Sequence, residues 1–211
     1  CVDQSLAALA KKVDLIFTAT PQGFCGMHLT EKILSQYKVN DLSADFRLKS
    51  SASYTNWYKL SAAPKTLLQK AIYDLPELYR EQIAQASLVA NPGCYPTCSI
   101  LTIYPLLKEG YIASHGIIIN AKSGISGAGR SNETDRLFWE VNENIKAYGL
   151  TGHRHILEIE EQLAFAAGEK ITLNFIPHLI PMNRGIFITA YTDLKKPADY
   201  DTIKAVYDSY Y

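Results

Sequence analysis

Apolar and polar positions along the first half of the chain switch between the short period of strands and the longer period of helices. The mostly apolar run Val13–Ala19 is typical of a buried strand, and a turn at Thr20–Gly23 follows it. Helical spacing then predicts a helix over Met27–Gln36. Further strands are predicted at Val39–Phe46 and Leu88–Ala90, and the Tyr- and Ser-rich stretch Ser50–Arg80 between them is predicted to be an irregular excursion. Alternating strands and helices indicate a doubly wound, parallel α/β sheet, which binds its ligands beyond the carboxyl ends of its strands.

The pattern changes in the second half of the chain. A helix is predicted over Tyr95–Leu107, where Pro96 occupies the first turn and its missing N–H does no harm. Further elements are predicted at three apolar runs and two stretches of helical spacing: strands Ile112–Ala121, Ile171–Pro177 and Gly185–Thr192, and helices His155–Ala167 and Asp201–Tyr211. Strands that follow one another without obligatory helices favour a mixed or antiparallel sheet. We therefore expect one domain over residues 1–93 and a second, α+β domain over residues 94–211.

Composition excludes several classes of protein. The chain has 211 residues, of which 47% are hydrophobic and 20% charged, and its 21 basic and 21 acidic residues cancel. This balance argues against a broad nucleic-acid-binding surface, and no apolar run reaches the roughly 18 residues that a membrane helix needs. Four cysteines are too few for a disulfide scaffold, which favours a reducing, cytoplasmic setting.

Both ends of the sequence lie inside a periodic pattern. Cys1–Lys12 has helical spacing from its first residue, and the amphipathic pattern at the other end runs through Tyr211. We therefore expect the sequence to be a piece of a longer protein.

Cys94 is the residue whose position points most directly to chemistry. It lies between a predicted strand and a predicted helix, where the field of the helix N-terminus favours the nucleophilic thiolate. The turn residues Asn91–Gly93 can hold backbone amides near its sulfur. A role in catalysis and one in packing are both open for Cys94, whereas packing is the simpler interpretation of Cys1, Cys25 and Cys98.

Among the five histidines, His155 has the most suggestive setting. Glu158 lies three residues later on the same helical face, where a carboxylate can hold an imidazole in one tautomer. Such pairs are also common on solvated helices, so both interpretations stay open. His178 ends a predicted strand, and a structural role and a ligand contact are equally compatible with it.

The segment Ser123–Arg130 contains three glycines and two serines after an apolar strand. Its unhindered amides could surround a phosphate or let a cofactor approach the backbone closely, and a flexible connection is the alternative. Its spacing does not match the dinucleotide fingerprint Gly-x-Gly-x-x-Gly.

Taken together, four segments resemble the family of N-acetyl-gamma-glutamyl-phosphate reductases, enzymes of arginine biosynthesis. Asn91–Thr97 resembles the nucleophile segment of that family, and Ser123–Arg130 its cofactor-side loop. His153–His155 with Glu158 is similar to its histidine segment, and Pro177–Gly185 to a late strand motif. The four segments follow one another in the order of the family.

The resemblance implies a Rossmann domain, whose first phosphate-binding loop lies outside this sequence, and an α+β catalytic domain. It implies that Cys94 forms a thioester with N-acetyl-glutamyl phosphate, that NADPH reduces it to the semialdehyde, and that the enzyme is a cytoplasmic dimer or tetramer that needs no metal. His155 is implied as the acid/base and Glu158 as its partner. The implied substrate contacts are Asn91, Arg130, His153, Arg154 and Arg184, and the implied cofactor contacts are Thr20, Pro21, Ser123, Gly124, Ser126, Gly127 and Gly129.

Three other functions remain open. An aspartate-semialdehyde dehydrogenase would use the same chemistry on a shorter substrate, although its cysteine segment typically lacks the Pro-Gly and Tyr-Pro that flank Cys94 here. A cysteine hydrolase or acyltransferase would need no nicotinamide, and a non-catalytic cofactor sensor could have the same fold.

Overall fold

A computed structural model describes residues 13–129, 134 and 137–211 of the chain. Two compact units divide the chain, Cys1–Gly93 and Cys94–Tyr211, and each is described by itself. The helical pattern at Cys1–Lys12 and the candidate residue Arg130 lie outside the described residues.

The first unit is built on a sheet of parallel strands in the order β1-β2-β4-β3. The strands are β1 (Leu15–Thr18), β2 (Lys38–Asp41), β3 (Ile72–Tyr73) and β4 (Leu88–Ala90). In this register Ile16 lies opposite Val39, which in turn lies opposite Leu88. All three are buried, as expected of a parallel sheet covered by helices. The predicted parallel α/β architecture is therefore confirmed.

The helices of the first unit differ from the predicted ones. They are α1 (Phe24–His28), α2 (Glu31–Leu34), α3 (Ser51–Tyr58), α4 (Lys65–Lys70) and α5 (Pro76–Gln85). A single helix over Met27–Gln36 was wrong, because Leu29 is extended and the Thr30 hydroxyl accepts a hydrogen bond from the Ile33 amide, which starts a new helix. The stretch Ser50–Arg80 is mostly helical, since Leu67 and Leu68 complete the core although their surroundings show no clean period.

Two buried carboxylates organise the loops at the carboxyl end of this sheet. Asp45 accepts hydrogen bonds from the amides of Gly23 and Gly26 at 2.7 and 2.8 Å and from the Tyr54 hydroxyl at 2.7 Å. It thereby satisfies amides that the start of α1 would otherwise leave unpaired. Asp41 accepts from the hydroxyl of Thr18 at 2.6 Å, and burial raises the pKa of its carboxyl group.

A buried arginine fixes the segment that follows β4. The Nε atom of Arg47 donates to the carbonyl oxygen of Asn91 at 2.7 Å, and Nη2 donates to that of Leu42 at 2.9 Å. The Asn91 amide donates to the carbonyl oxygen of Asp41 at 2.9 Å. Both backbone polar groups of Asn91 are therefore held within the first unit.

The second unit has a mixed sheet in the order β6-β7-β5-β8. Its strands are β5 (Ile117–Ser123), β6 (Lys146–Ala147), β7 (Leu173–Leu179) and β8 (Ile186–Tyr191). The pair β5–β7 is parallel and the other two pairs are antiparallel, in agreement with the expected mixed sheet. Strand β5 starts later than predicted because Gly116 has a φ of 72°, which interrupts the extended backbone.

The described part of this unit has four α-helices, two of which pack on one face of the mixed sheet. They are α6 (Cys94–Lys108), α7 (Phe138–Val141), α8 (His155–Ala167) and α9 (Tyr200–Tyr210). Helix α6 packs against α8, α9 and β8. Ile100 and Ile103 of α6 and Ile159 and Leu163 of α8 are fully buried.

The opposite face of the mixed sheet carries apolar side chains with high exposure. Phe187 and Tyr191 of β8 are 65% and 57% exposed, and Ile118 lies opposite Tyr191 in the ladder. Large apolar side chains in a row on an uncovered sheet face are typical of an interface. Over the described part of the chain, the helices are too short or too polar to cross a membrane.

Replacing Asp45 with alanine is expected to destabilise the chain strongly. The change leaves three donors without an acceptor, and we expect the free energy of unfolding to fall by about 3 kcal/mol or more. Asp45→Asn retains an acceptor oxygen and should cost less. Urea denaturation followed by circular dichroism measures the change, with the exposed Asp14→Ala variant as the control. A loss for Asp45→Ala no larger than that of the control would contradict this role.

Candidate active site

Cys94 presents its sulfur at the start of a long helix. It is the first residue of α6, and its thiol is free and exposed. The other described cysteines are less accessible: Cys98 is half-buried and Cys25 is fully buried. Burial raises the pKa of both of these thiols, that of Cys25 to about 12. Of the described cysteines, Cys94 therefore has the setting of a nucleophile.

The residue after the cysteine anchors this helix start. Tyr95 is only 3% exposed, and its hydroxyl lies 2.9 Å from the hydroxyl of Tyr148. Its ring meets the ring of Phe175 on β7 edge to face, with 5.2 Å between the centroids. Burial and the hydrogen bond with Tyr148 raise the pKa of the Tyr95 hydroxyl, so it stays neutral.

Tyr95 also contacts both histidines of the candidate site. Its ring centroid lies 5.7 Å from that of His153 and 6.0 Å from that of His155, and the two imidazoles are 4.8 Å apart. His155 and Glu158, in the first turn of α8, are buried, with 5% and 2% exposure. The structure therefore places the start of α6, which carries Cys94, next to both His153 and His155.

His153 has a different environment from His155. The backbone amide of His155 donates to Nδ1 of His153 at 3.2 Å. Burial, assisted by the nearby Arg154 charge, lowers the pKa of the His153 imidazole to about 4. His153 is therefore neutral at physiological pH.

The glycine-rich loop has its amides engaged by the chain itself. The amide of Gly124 donates to the carbonyl oxygen of Gly185 at 2.9 Å, and that of Ser126 donates to Asn183 at 3.1 Å. A Cβ atom at position 124 would lie 2.8 Å from the backbone nitrogen of Arg184, so only glycine fits there. These amides do not form an open phosphate cradle. Cofactor contacts of this loop stay a prediction that depends on its exposed residues, Ser126, Gly127 and Gly129.

The remaining candidate residues of the second unit have different surroundings. Arg154 and Arg184 are exposed, and Arg154 is the residue before α8. Ser123 is buried, and its hydroxyl donates to the carbonyl oxygen of Gly124 at 3.0 Å. His178 lies on β7, where Nδ1 is 3.2 Å from the carbonyl oxygen of Ile176. Within the described residues, no group of His, Cys, Asp and Glu side chains could hold a metal ion.

Asn91, Thr20 and Pro21 belong to the first unit. Thr20 follows β1, and its Oγ1 atom is buried without a hydrogen-bond partner among the described residues. An unsatisfied hydroxyl beyond the carboxyl end of a parallel strand lies where this fold binds nucleotides. The Thr20 hydroxyl is therefore a suitable contact for a nucleotide, and that contact stays a prediction.

Sequence reasoning missed the two tyrosines that build the site. Tyr95 stands inside the recognised segment Asn91–Thr97, and an aromatic residue directly after the candidate nucleophile was a usable signal. Tyr148 had no such signal, since its hydroxyl meets that of Tyr95 across 53 residues of sequence.

Two family models match the chain. Residues 94–211 match the semialdehyde dehydrogenase dimerisation domain, and residues 1–86 match the semialdehyde dehydrogenase NAD binding domain. The predicted nicotinamide cofactor is confirmed at this level.

Curated relatives support the resemblance found in the motifs. N-acetyl-gamma-glutamyl-phosphate reductase from Lachnoclostridium phytofermentans is 57% identical over 211 residues, which are 100% of this chain and 61% of the relative. The protein of the same name from Campylobacter jejuni subsp. jejuni serotype O:6 is 57% identical over 95% of this chain and 58% of its own length. The chain thus spans about 60% of the length of these relatives.

Solved structures share the fold at low sequence identity. An aspartate semialdehyde dehydrogenase II from Vibrio cholerae superposes with a TM-score of 0.64 and 14% identity, over 95% of this chain and 61% of that one. The enzyme from Francisella tularensis gives a TM-score of 0.64 and 15% identity, over 97% and 65%. Both matches agree with the predicted α/β fold class.

The three described cysteines are expected to react with iodoacetamide at very different rates. Exposed Cys94 should be alkylated first, Cys98 more slowly, and Cys25 only on unfolding, because a raised pKa reduces the thiolate fraction at a given pH. Peptide mass spectrometry of the native chain at pH 8 measures the order. Alkylation of Cys98 before Cys94 would contradict this description of the site.

Proposed function

The chain belongs to the semialdehyde dehydrogenase family, and from this membership we propose that the full-length protein reduces N-acetyl-glutamyl phosphate to the semialdehyde with NADPH. One observation carries the proposal. Cys94, an exposed thiol at the start of a helix, is followed directly by Tyr95, whose ring contacts the imidazoles of His153 and His155. The name shared by the curated relatives supports this choice of substrate.

In the proposed reaction, the Cys94 thiolate attacks the acyl carbon of the substrate. A bond forms between sulfur and carbon, the carbon–oxygen bond to the phosphoryl group breaks, and phosphate leaves with the electron pair. The Cys94 sulfur is exposed at the start of α6, where a substrate can reach it for this covalent step. The exposed guanidinium groups of Arg154 and Arg184 are the candidate partners of the substrate's phosphate and carboxylate.

The reductive step needs a cofactor and a proton carrier. The cofactor, when bound, would supply a hydride for the thioester carbon. Thr20 in the first unit and the exposed residues of the glycine-rich loop in the second are each a candidate contact for it. His155 would give a proton to the oxyanion that hydride addition leaves and would take it back when the carbon–sulfur bond breaks, so that the semialdehyde and the Cys94 thiolate are released. Glu158, one turn along the same face of α8, is proposed to orient His155.

We propose residues 1–93 as the cofactor half and residues 94–211 as the catalytic half of this enzyme. A homo-oligomer is proposed too, with the exposed apolar face of β5 and β8 in the interface. The match to a dimerisation domain supports that choice. A cytoplasmic location is proposed from the free thiols of the described cysteines.

An absorbance assay of the full-length protein tests the function. It follows reduction of NADP by N-acetyl-glutamate semialdehyde in the presence of phosphate. We expect turnover that depends on phosphate and falls at least about tenfold with aspartate semialdehyde, because that substrate is one methylene shorter and lacks the acetyl group. Preference for aspartate semialdehyde would favour the rival dehydrogenase, and thioester or activated-ester hydrolysis without NADP would favour a hydrolase.

Replacing Cys94 with serine is expected to abolish turnover while leaving the fold intact. The hydroxyl is a much weaker nucleophile, and activity below about a thousandth of wild type is typical when a covalent nucleophile is removed. Cys98→Ser is the matched control and should retain most activity. Steady-state kinetics measure both variants. More than about a tenth of the wild-type rate in Cys94→Ser would contradict the assignment.

Loss of the proposed acid/base should lower the maximal rate. His155→Asn is expected to reduce kcat by about 10²–10⁴-fold and to flatten the pH–rate profile near neutrality. Glu158→Gln should cost less, since it leaves the proton carrier in place. The measurement is kcat from pH 5 to 9. If His153→Asn flattens the pH–rate profile near neutrality and His155→Asn does not, the roles of the two histidines are exchanged.

A further inference from the structure

We propose that four ring neighbours and one backbone amide hold His153 as a neutral imidazole with its proton on Nε2, and that this Nε2–H donates a hydrogen bond to an oxygen of the bound acyl substrate. The second half of this proposal rests on the proposed function. Its first half concerns the chain alone.

The start of α8 selects the tautomer. Amides in the first turn of a helix have no carbonyl partner within the helix, and the amide of His155 finds its acceptor in Nδ1 of His153 at 3.2 Å. A ring nitrogen that accepts must carry a lone pair rather than a proton. The single proton of the neutral ring is therefore on Nε2.

The surrounding rings disfavour a charged imidazole. The centroid of His153 lies 5.7 Å from that of Tyr95, 5.9 Å from Tyr148, 5.4 Å from Phe175 and 4.8 Å from His155. These four rings form an aromatic cage that covers part of the imidazole and reduces its contact with water. This burial and the adjacent Arg154 charge both lower the pKa of His153, to about 4.

A neutral donor in a fixed direction suits an acyl oxygen. His153 is half-buried, so part of its ring stays accessible beside the helix that begins at Cys94. The acyl oxygen gains negative charge when the thiolate attacks, and a preorganised N–H stabilises that charge without reorganisation. His153 would then act without losing or gaining a proton, whereas His155 carries the proton.

Nitrogen-15 NMR of the full-length protein with labelled histidine rings tests the tautomer directly. The His153 signals are assigned by their loss in His153→Gln. We expect an unprotonated Nδ1 and a protonated Nε2 that do not change between pH 8 and pH 5. A proton on Nδ1, or titration near the ordinary value of about 6.5, would overturn the proposal.

The cage is tested by a matched pair of variants. Tyr148→Phe keeps the ring and should leave His153 neutral down to pH 5. Tyr148→Ala opens the cage to water, so the titration midpoint of His153 should rise by about one unit or more. Equal midpoints in the two variants would overturn the role of the rings.

Two substitutions of His153 test the donor. The side-chain amide of glutamine can place N–H near the position of Nε2, whereas that of asparagine reaches only the position of Nδ1. We expect His153→Gln to keep kcat/KM within about tenfold of wild type and His153→Asn to lose about a hundredfold or more, mainly in kcat. Equal losses would overturn the donor role.

The outcomes separate this inference from the proposed function. The expected tautomer in a protein that turns over no acyl phosphate would support the first half and overturn the second together with the proposed function. Turnover with a proton on Nδ1 would overturn the inference and leave the proposed function standing.

Discussion

The second unit depends on burial of the Tyr95 ring directly beside the exposed thiol of Cys94. Consecutive residues at the start of a helix point in different directions, so packing Tyr95 against Phe175 and the two histidines leaves the Cys94 thiol outside. The ring provides the apolar contact area, and its hydroxyl is paired with that of Tyr148. A smaller residue at position 95 would leave the helix start without this anchor and the histidines without their common neighbour.

The histidine segment has two chemical environments within three residues. His155 is the first residue of α8, while His153 precedes the helix. Nδ1 of His153 accepts a hydrogen bond from the His155 amide, which has no carbonyl partner within the helix. One hydrogen bond thus both begins the helix and fixes the tautomer of His153. Under the proposed roles, this difference would let one short segment provide both a proton carrier and a donor that does not titrate, which composition alone does not distinguish.

Local periodicity predicted the elements whose ends are decided locally. The helix His155–Ala167 and the strand Leu88–Ala90 have the predicted bounds, since their apolar spacing and flanking residues agree. The single helix predicted over Met27–Gln36 was wrong, because the extended Leu29 ends one helix and the Thr30 cap starts another. The spacing of apolar residues does not reveal such a break. Helix α4 was missed because its stabilisation comes from tertiary packing. Its apolar residues Leu67 and Leu68 pack into a core formed by residues distant in sequence, which local spacing does not show.

Dependence on local sequence also explains which residues of the candidate site could be singled out from the sequence. Cys94 and the pair His155 and Glu158 stand out because their neighbours in sequence are also their neighbours in space. The glycines of Ser123–Arg130 were ambiguous, since a backbone that lets a ligand approach and one that lets another strand approach need the same residue. At Gly124 the approaching group is the backbone of Arg184, so this glycine shapes the loop from within and leaves ligand contact to its exposed neighbours.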